Sequence, residues 1–258
     1  MPYVTFMRCC LFIFLCCIPL VGATQMLTVA QYDALTLDQM NTPIHWVVSH
    51  DSLSQALRAR LPKEQPVQVV RLAQTMSAAA VFAQQPVPFP IASTQQLAAY
   101  LTQPFKDEKL KAWALYVWMG THLTYDYDVY SKSRMHLVRH NALEVLLYGK
   151  SSCSGYANLY YELADNACIK VLVTDGLFKS KPNVGPGDHA WNLVKINGRW
   201  GNIDVICYNQ SGFLPDPELF QESHYANLRQ MRLAREPMSR EEFIRLNGKP
   251  RPFAFKTK

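Results

Sequence analysis

The chain has 258 residues, 49% of them hydrophobic and 18% charged, with a formal net charge of +6 and a mean hydropathy of −0.09. That length supports one well-buried core with at most a small accessory layer, and this much apolar surface excludes wholesale disorder. The basic residues, around Lys179 and Lys181, Arg229 and Arg235, and Lys256 and Lys258, form no stripe with interleaved aromatics, which argues against a nucleic-acid partner.

In chain order, Arg8 precedes an apolar run over residues 11–20 that ends in Val21-Gly22-Ala23. This is the pattern of a signal peptide cleaved near Ala23, predicting a secreted or periplasmic protein. The run is shorter than the roughly 20 apolar residues of a spanning helix. A membrane association is expected only if the segment stays uncleaved, as an anchor starting at Val4. Cys9, Cys10, Cys16 and Cys17 lie within it, so the mature chain retains Cys153, Cys168 and Cys207. An odd count outside the cytosol points to a free thiol. Whether Cys168 and Cys207 are buried singly or paired is left open by the sequence.

Residues 24–90 form an N-terminal extension with no assigned role, closing in a bridge over 81–90 whose Pro86, Pro88 and Pro90 favour extended backbone. Beyond it, Ser93 or Thr94 is suited to cap a short helix through Tyr100. Asp107-Glu108 introduces a second helix with Leu110, Trp113, Ala114, Val117 and Trp118 at helical spacing. Tyr125-Asp126-Tyr127-Asp128 reads as a loop held by side-chain hydrogen bonds, and a further helix over 142–148 ends at Gly149. Gly149-Lys150-Ser151 is not a phosphate-binding loop, because Glu144 stands where that motif needs a glycine. His136 and His140 are four apart, but Leu137 replaces the glutamate of a zinc-protease helix, so they read as structural or surface residues.

The chemistry-bearing residues follow. Ser151-Ser152-Cys153-Ser154-Gly155 opens a helix whose face is Tyr156, Leu159, Tyr160, Leu163 and Ala164. Cys153 thus stands at a helix N-terminus, where the dipole favours the reactive thiolate. Gly155 carries no side chain to obstruct an approaching substrate backbone. Taken alone, such a cysteine also reads as a small buried hydrophobe. Downstream, residues 189–196 read as a strand, Asn197-Gly198 as a tight turn, and residues 199–206 as the returning strand. A two-residue turn pairs Ile196 with Arg199 and places Trp191 opposite Asp204, with His189 diagonal to it, within reach of its carboxylate. Together Cys153, His189 and Asp204 fit nucleophilic catalysis: a thiol, its base, and the group that orients the base.

With these residues the chain resembles the transglutaminase-like cysteine peptidase superfamily. The matching blocks are Trp118 through Tyr125-Asp126, Cys153-Ser154-Gly155-Tyr156-Ala157, His189-Ala190-Trp191-Asn192 and Trp200 to Asp204. Leu97-Ala98-Ala99-Tyr100-Leu101-Thr102, Phe213-Leu214-Pro215-Asp216-Pro217-Glu218, Ser223-His224 and Met238-Ser239-Arg240-Glu241-Glu242-Phe243 resemble the branch of kyphoscoliosis peptidase and the fungal cytokinesis transglutaminase-like proteins. The resemblance spans about residues 93–245. It implies an α+β, papain-like core in residues 91–258, with the cysteine helix packed on an antiparallel sheet and Cys153, His189 and Asp204 as the triad.

Ser151-Ser152 replaces the usual glycine-valine, His122 stands where an asparagine is common, and Val205-Ile206-Cys207 replaces proline-threonine-tryptophan. The Cys153 N–H is one natural oxyanion donor; a second is not legible. His224 reads as a packing or hydrogen-bonding residue rather than a second base.

The expected activity is cysteine-dependent acyl transfer on peptide or side-chain amides through a thioester, with hydrolysis favoured over cross-linking. The rivals are a protein-glutamine transglutaminase, a non-catalytic adaptor and an envelope-binding module. A protein or peptide is the expected substrate, envelope-associated in one version, and the residues call for no cofactor and no metal.

Overall fold

The computed structural model describes residues 57–68, 70–128, 140–179, 187–226 and 240–247. The expected signal peptide, His136, the polar stretch 180–186 and the tail around Met238 lie outside the described residues. Among those described, no helix is long and apolar enough to cross a membrane.

Each early helix starts where a short polar side chain can take up an unpaired N–H group. Thr75 caps α1 (Met76–Ala83), Ser93 caps α2 (Thr94–Thr102) and Asp107 caps α3 (Glu108–His122), accepting from Ala78, Gln96 and Leu110 N–H respectively. The bridge expected over residues 81–90 therefore begins later, because its first three residues complete α1. Alanine-rich Met76–Ala83 has high helix propensity, and Thr75 supplies the start signal. Phe82, Ala79 and Ala83 share one apolar cluster with Leu97 and Leu101 of α2 and with Leu115 and Met119 of α3. Trp113 Nε1 donates to the Met76 carbonyl at 3.0 Å, tying α1 to α3.

Asn141 caps α4 (Ala142–Tyr148), and Gly149 follows it in the left-handed conformation. The chain then runs straight to the cysteine. β1 (Thr124–Tyr125) pairs in parallel with β2 (Lys150–Ser151), so part of the Tyr-Asp-Tyr-Asp segment is strand rather than loop. Asp126 beyond it is buried, 3.5 Å from Lys150 Nζ. α5 (Cys153–Asn166) buries the anticipated face of Tyr156, Leu159, Tyr160, Leu163 and Ala164.

The main sheet is antiparallel, in the order β5 (Arg199–Ile203), β4 (Gly187–Ile196), β3 (Lys170–Phe178), β6 (His224–Ala226). Its two faces are covered differently. Val194, Ile196 and Ile203 join the main cluster with α5, whereas Trp191, Leu193 and Trp200 pack with Phe220, Ala226 and Leu246 in a second one. Phe220 comes from α6 (Pro217–Gln221) and Leu246 from α7 (Arg240–Asn247). This is the α+β arrangement expected of the sequence.

The hairpin register is as anticipated: Ile196 pairs with Arg199 and Asn192 with Ile203. Asn197 and Gly198 have φ of 49° and 81°, the signature of a type I′ turn, whose second central position favours glycine. The returning strand is shorter than anticipated and stops at Ile203. Asp204 accounts for this, because its Oδ1 accepts from Ile206 N–H at 3.0 Å and caps a 3₁₀ turn over Val205–Gln210. A capping aspartate offers the backbone an alternative to the ladder.

Candidate active site

The three residues singled out from sequence come together. His189 Nε2 lies 2.7 Å from Asp204 Oδ2, and the Cys153 side chain hydrogen-bonds the same imidazole. All three are buried. Cys153 is the first residue of α5, and Ser152 before it makes no side-chain cap hydrogen bond. The Ser152 hydroxyl instead lies 3.1 Å from that of Ser154, so no hydroxyl answers the helix dipole ahead of the thiol.

Asn192 holds the cysteine helix against the histidine strand. Its buried Nδ2 donates to the Ala157 carbonyl of α5 at 3.0 Å and to the Leu172 carbonyl of β3 at 3.3 Å. Asp204 is fixed at both ends: its N–H donates to the Gly212 carbonyl at 2.8 Å, and its side chain caps the following turn. Oδ2 takes two further donors, His224 Nε2 at 3.1 Å and Cys207 Sγ at 3.2 Å.

The charges follow from these contacts. Burial works against a charged His189, but the Asp204 carboxylate, with the Cys153 side chain adding, pushes its pKa up to about 10. Burial likewise opposes ionisation of Asp204, yet His189 first and His224 next hold it well below the ordinary carboxylate range. The site therefore contains an imidazolium–carboxylate pair at neutral pH. Burial pulls His224 below the usual histidine value, leaving that ring neutral. Burial and the Asp204 charge push the Cys207 thiol well up, which keeps it a protonated donor.

Among the described residues, one group of His, Cys, Asp and Glu is close enough to share a cation: His189, Asp204 and His224. Their ligand atoms are already spent on one another, so a metal would have to displace the bonds that define the site. Cys153, Cys168 and Cys207 are not joined in disulfides, and Cys168 is exposed.

Other singled-out residues lie to the side. His140 Nδ1 is 2.6 Å from Ser154 Oγ, the residue that follows Cys153. His122, in the last turn of α3, stacks on Trp118 with centroids 5.1 Å apart. The sequence reads His224 as a packing or hydrogen-bonding residue and names no partner for it. It missed the Cys207 and Asn192 contacts. Cys207 was findable, since it lies three positions beyond Asp204 across a capped turn.

Residues 95–205 match the transglutaminase-like superfamily. Mouse kyphoscoliosis peptidase is 25% identical over 169 residues and the human protein 26%, in each case covering 57% of this chain and 25% of the relative. The match thus spans a quarter of the length of these relatives. Among solved structures, a candidate cysteine protease from Cytophaga hutchinsonii aligns over 49% of this chain and 41% of its own, with 18% identity and a TM-score of 0.37. A TGase aligns over 63% of this chain and 38% of its own, with 16% identity and a TM-score of 0.33. Residues 95–205 thus match a transglutaminase-like domain, and over 57% of its length the chain is similar to kyphoscoliosis peptidase.

Proposed function

We propose that the chain is a cysteine-dependent amide hydrolase acting on a protein or peptide through a thioester. One observation carries this reading: the Cys153 side chain, at the start of α5, hydrogen-bonds the His189 imidazole, which a buried carboxylate holds at 2.7 Å. In that geometry the Cys153 thiolate attacks the amide carbonyl and His189 gives its proton to the departing amine, leaving a thioester. Water then attacks the acyl carbon, His189 takes the proton, and the acid is released with the thiol restored. Asp204 keeps the ring in the orientation and charge state that both steps use.

Hydrolysis is favoured over cross-linking by the approach to His189. Gly187 and Asp188 immediately before it are exposed, and the preceding stretch is polar and glycine-containing. A cross-linking enzyme must exclude water from the thioester while admitting a neutral amine. Incubation with a glutamine-containing protein and a labelled primary amine tests the reading. Cleavage or deamidation lost in Cys153→Ala and His189→Gln supports it; dominant Cys153-dependent amine incorporation overturns the hydrolytic assignment. Export by residues 1–23 is a separate proposal, checked by N-terminal sequencing of secreted material.

A further inference from the structure

We propose that His224 is a positioning residue of this site: its Nε2–H fixes the Asp204 carboxylate in the orientation from which Asp204 holds His189 toward Cys153. The inference rests on the Cys153–His189–Asp204 reading and deepens it.

Topology brings the second imidazole in from the far edge of the sheet. β3 lies between β4 and β6, pairing Gly176 with His189 on one side and Phe178 with His224 on the other. The two histidine rings are 5.7 Å apart between centroids, and both point an Nε2 at the same oxygen of Asp204, at 2.7 Å and 3.1 Å. Because a carboxylate only accepts, His224 must carry its proton on Nε2. The neutral ring then leaves Nδ1 to accept from the Ser223 hydroxyl at 2.9 Å. The Phe220 carbonyl lies 3.3 Å from the same nitrogen. With Asp204, His189 and Ser223, it completes the polar surroundings of the ring.

An aromatic box sets the ring plane. Phe220 stacks on His224 at 3.7 Å and 11°, Phe178 lies at 4.7 Å and Trp191 at 5.3 Å. A phenylalanine would fill this box as well, but could not donate to Asp204. The neutrality of the donor matters too. A lysine or arginine here would compete for the Asp204 charge and weaken its hold on His189, whereas a neutral N–H orients the carboxylate and leaves its charge for the catalytic ring.

The test compares His224→Phe, which keeps the ring packing and removes the donor, with His224→Gln, which loses the ring and keeps an N–H at a similar reach. Each full-length variant is assayed for iodoacetamide alkylation across pH, with Cys153 resolved by peptide mapping, and for thermal unfolding. The positioning role predicts Cys153 alkylation near neutral pH about tenfold slower in His224→Phe, the worth of one hydrogen bond to a charged group. The acid limb should move toward the free-thiol value of about 8.5. His224→Gln should recover most of the rate even with a lower Tm. If His224→Phe does not fold, His224→Asn takes its place, being one methylene too short to reach Asp204. A His224→Phe profile that matches the wild type while His224→Gln is slow overturns the proposal in favour of packing. A wild-type Cys153 that reacts no faster than the exposed Cys168 refutes the parent reading, and the proposal with it.

Discussion

Asp204→Asn removes the charge on which the site turns while keeping its shape. In the wild type His189 is raised from 6.5 to about 10 against the opposing effect of burial, a displacement that corresponds to at most about 5 kcal/mol of differential interaction. The folded-state value lies above the unfolded one, so this contribution is fully present below about pH 6.5 and is lost as pH rises through about 10. In the variant the Cys153 side chain alone is left to oppose burial, and the His189 pKa should fall well below its wild-type value. Two-dimensional NMR of the histidine Cε1–H resonances, assigned with His189→Gln, reads this directly. Thermal unfolding of the two proteins should show the widest Tm gap near pH 6 and a narrower one near pH 10. A wild-type His189 that titrates close to 6.5, or an Asp204→Asn variant whose His189 keeps its raised value, would refute the ion-pair argument.

Three further outcomes follow from the packing. In Gly176→Ala the new Cβ meets the Tyr225 carbonyl oxygen at 2.2 Å and Ala226 Cα at 2.9 Å. This should force β6 from β3 at a cost of about 3 kcal/mol in urea unfolding and withdraw His224, slowing Cys153 alkylation. Asn192→Ala cuts the link between the cysteine helix and the sheet; a loss of about 1–3 kcal/mol with slower Cys153 alkylation is expected, and unchanged values of both would remove Asn192 from the positioning argument. Cys168 sits at φ 60°, a left-handed conformation in which a side chain costs about 1–2 kcal/mol. Cys168→Gly should therefore raise Tm slightly and leave the Cys153 profile unchanged.

Much of the site was legible because it is built from local signals. Asn197-Gly198 specifies the turn, the turn specifies the register, and the register sets His189 diagonal to Asp204; each step is fixed by backbone chemistry within one hairpin. The helix starts at Ser93 and Asp107 were legible for the same reason, as capping residues act on N–H groups two or three positions away. The end of β5 was misjudged because Asp204 has two competing uses, ladder residue and cap, and sequence pattern does not rank them.

By itself the sequence determined the cysteine helix, the His–Asp hairpin and their order in the chain. The tertiary structure alone decided that Asn192 ties helix to strand, and that β6 closes the sheet so that His224 meets Asp204 from a strand edge 20 residues away in sequence. It also decided that the thiol near Asp204 is Cys207. Contacts of that kind depend on which strands become neighbours and on what the remaining space admits, quantities that residue spacing within a single segment does not encode.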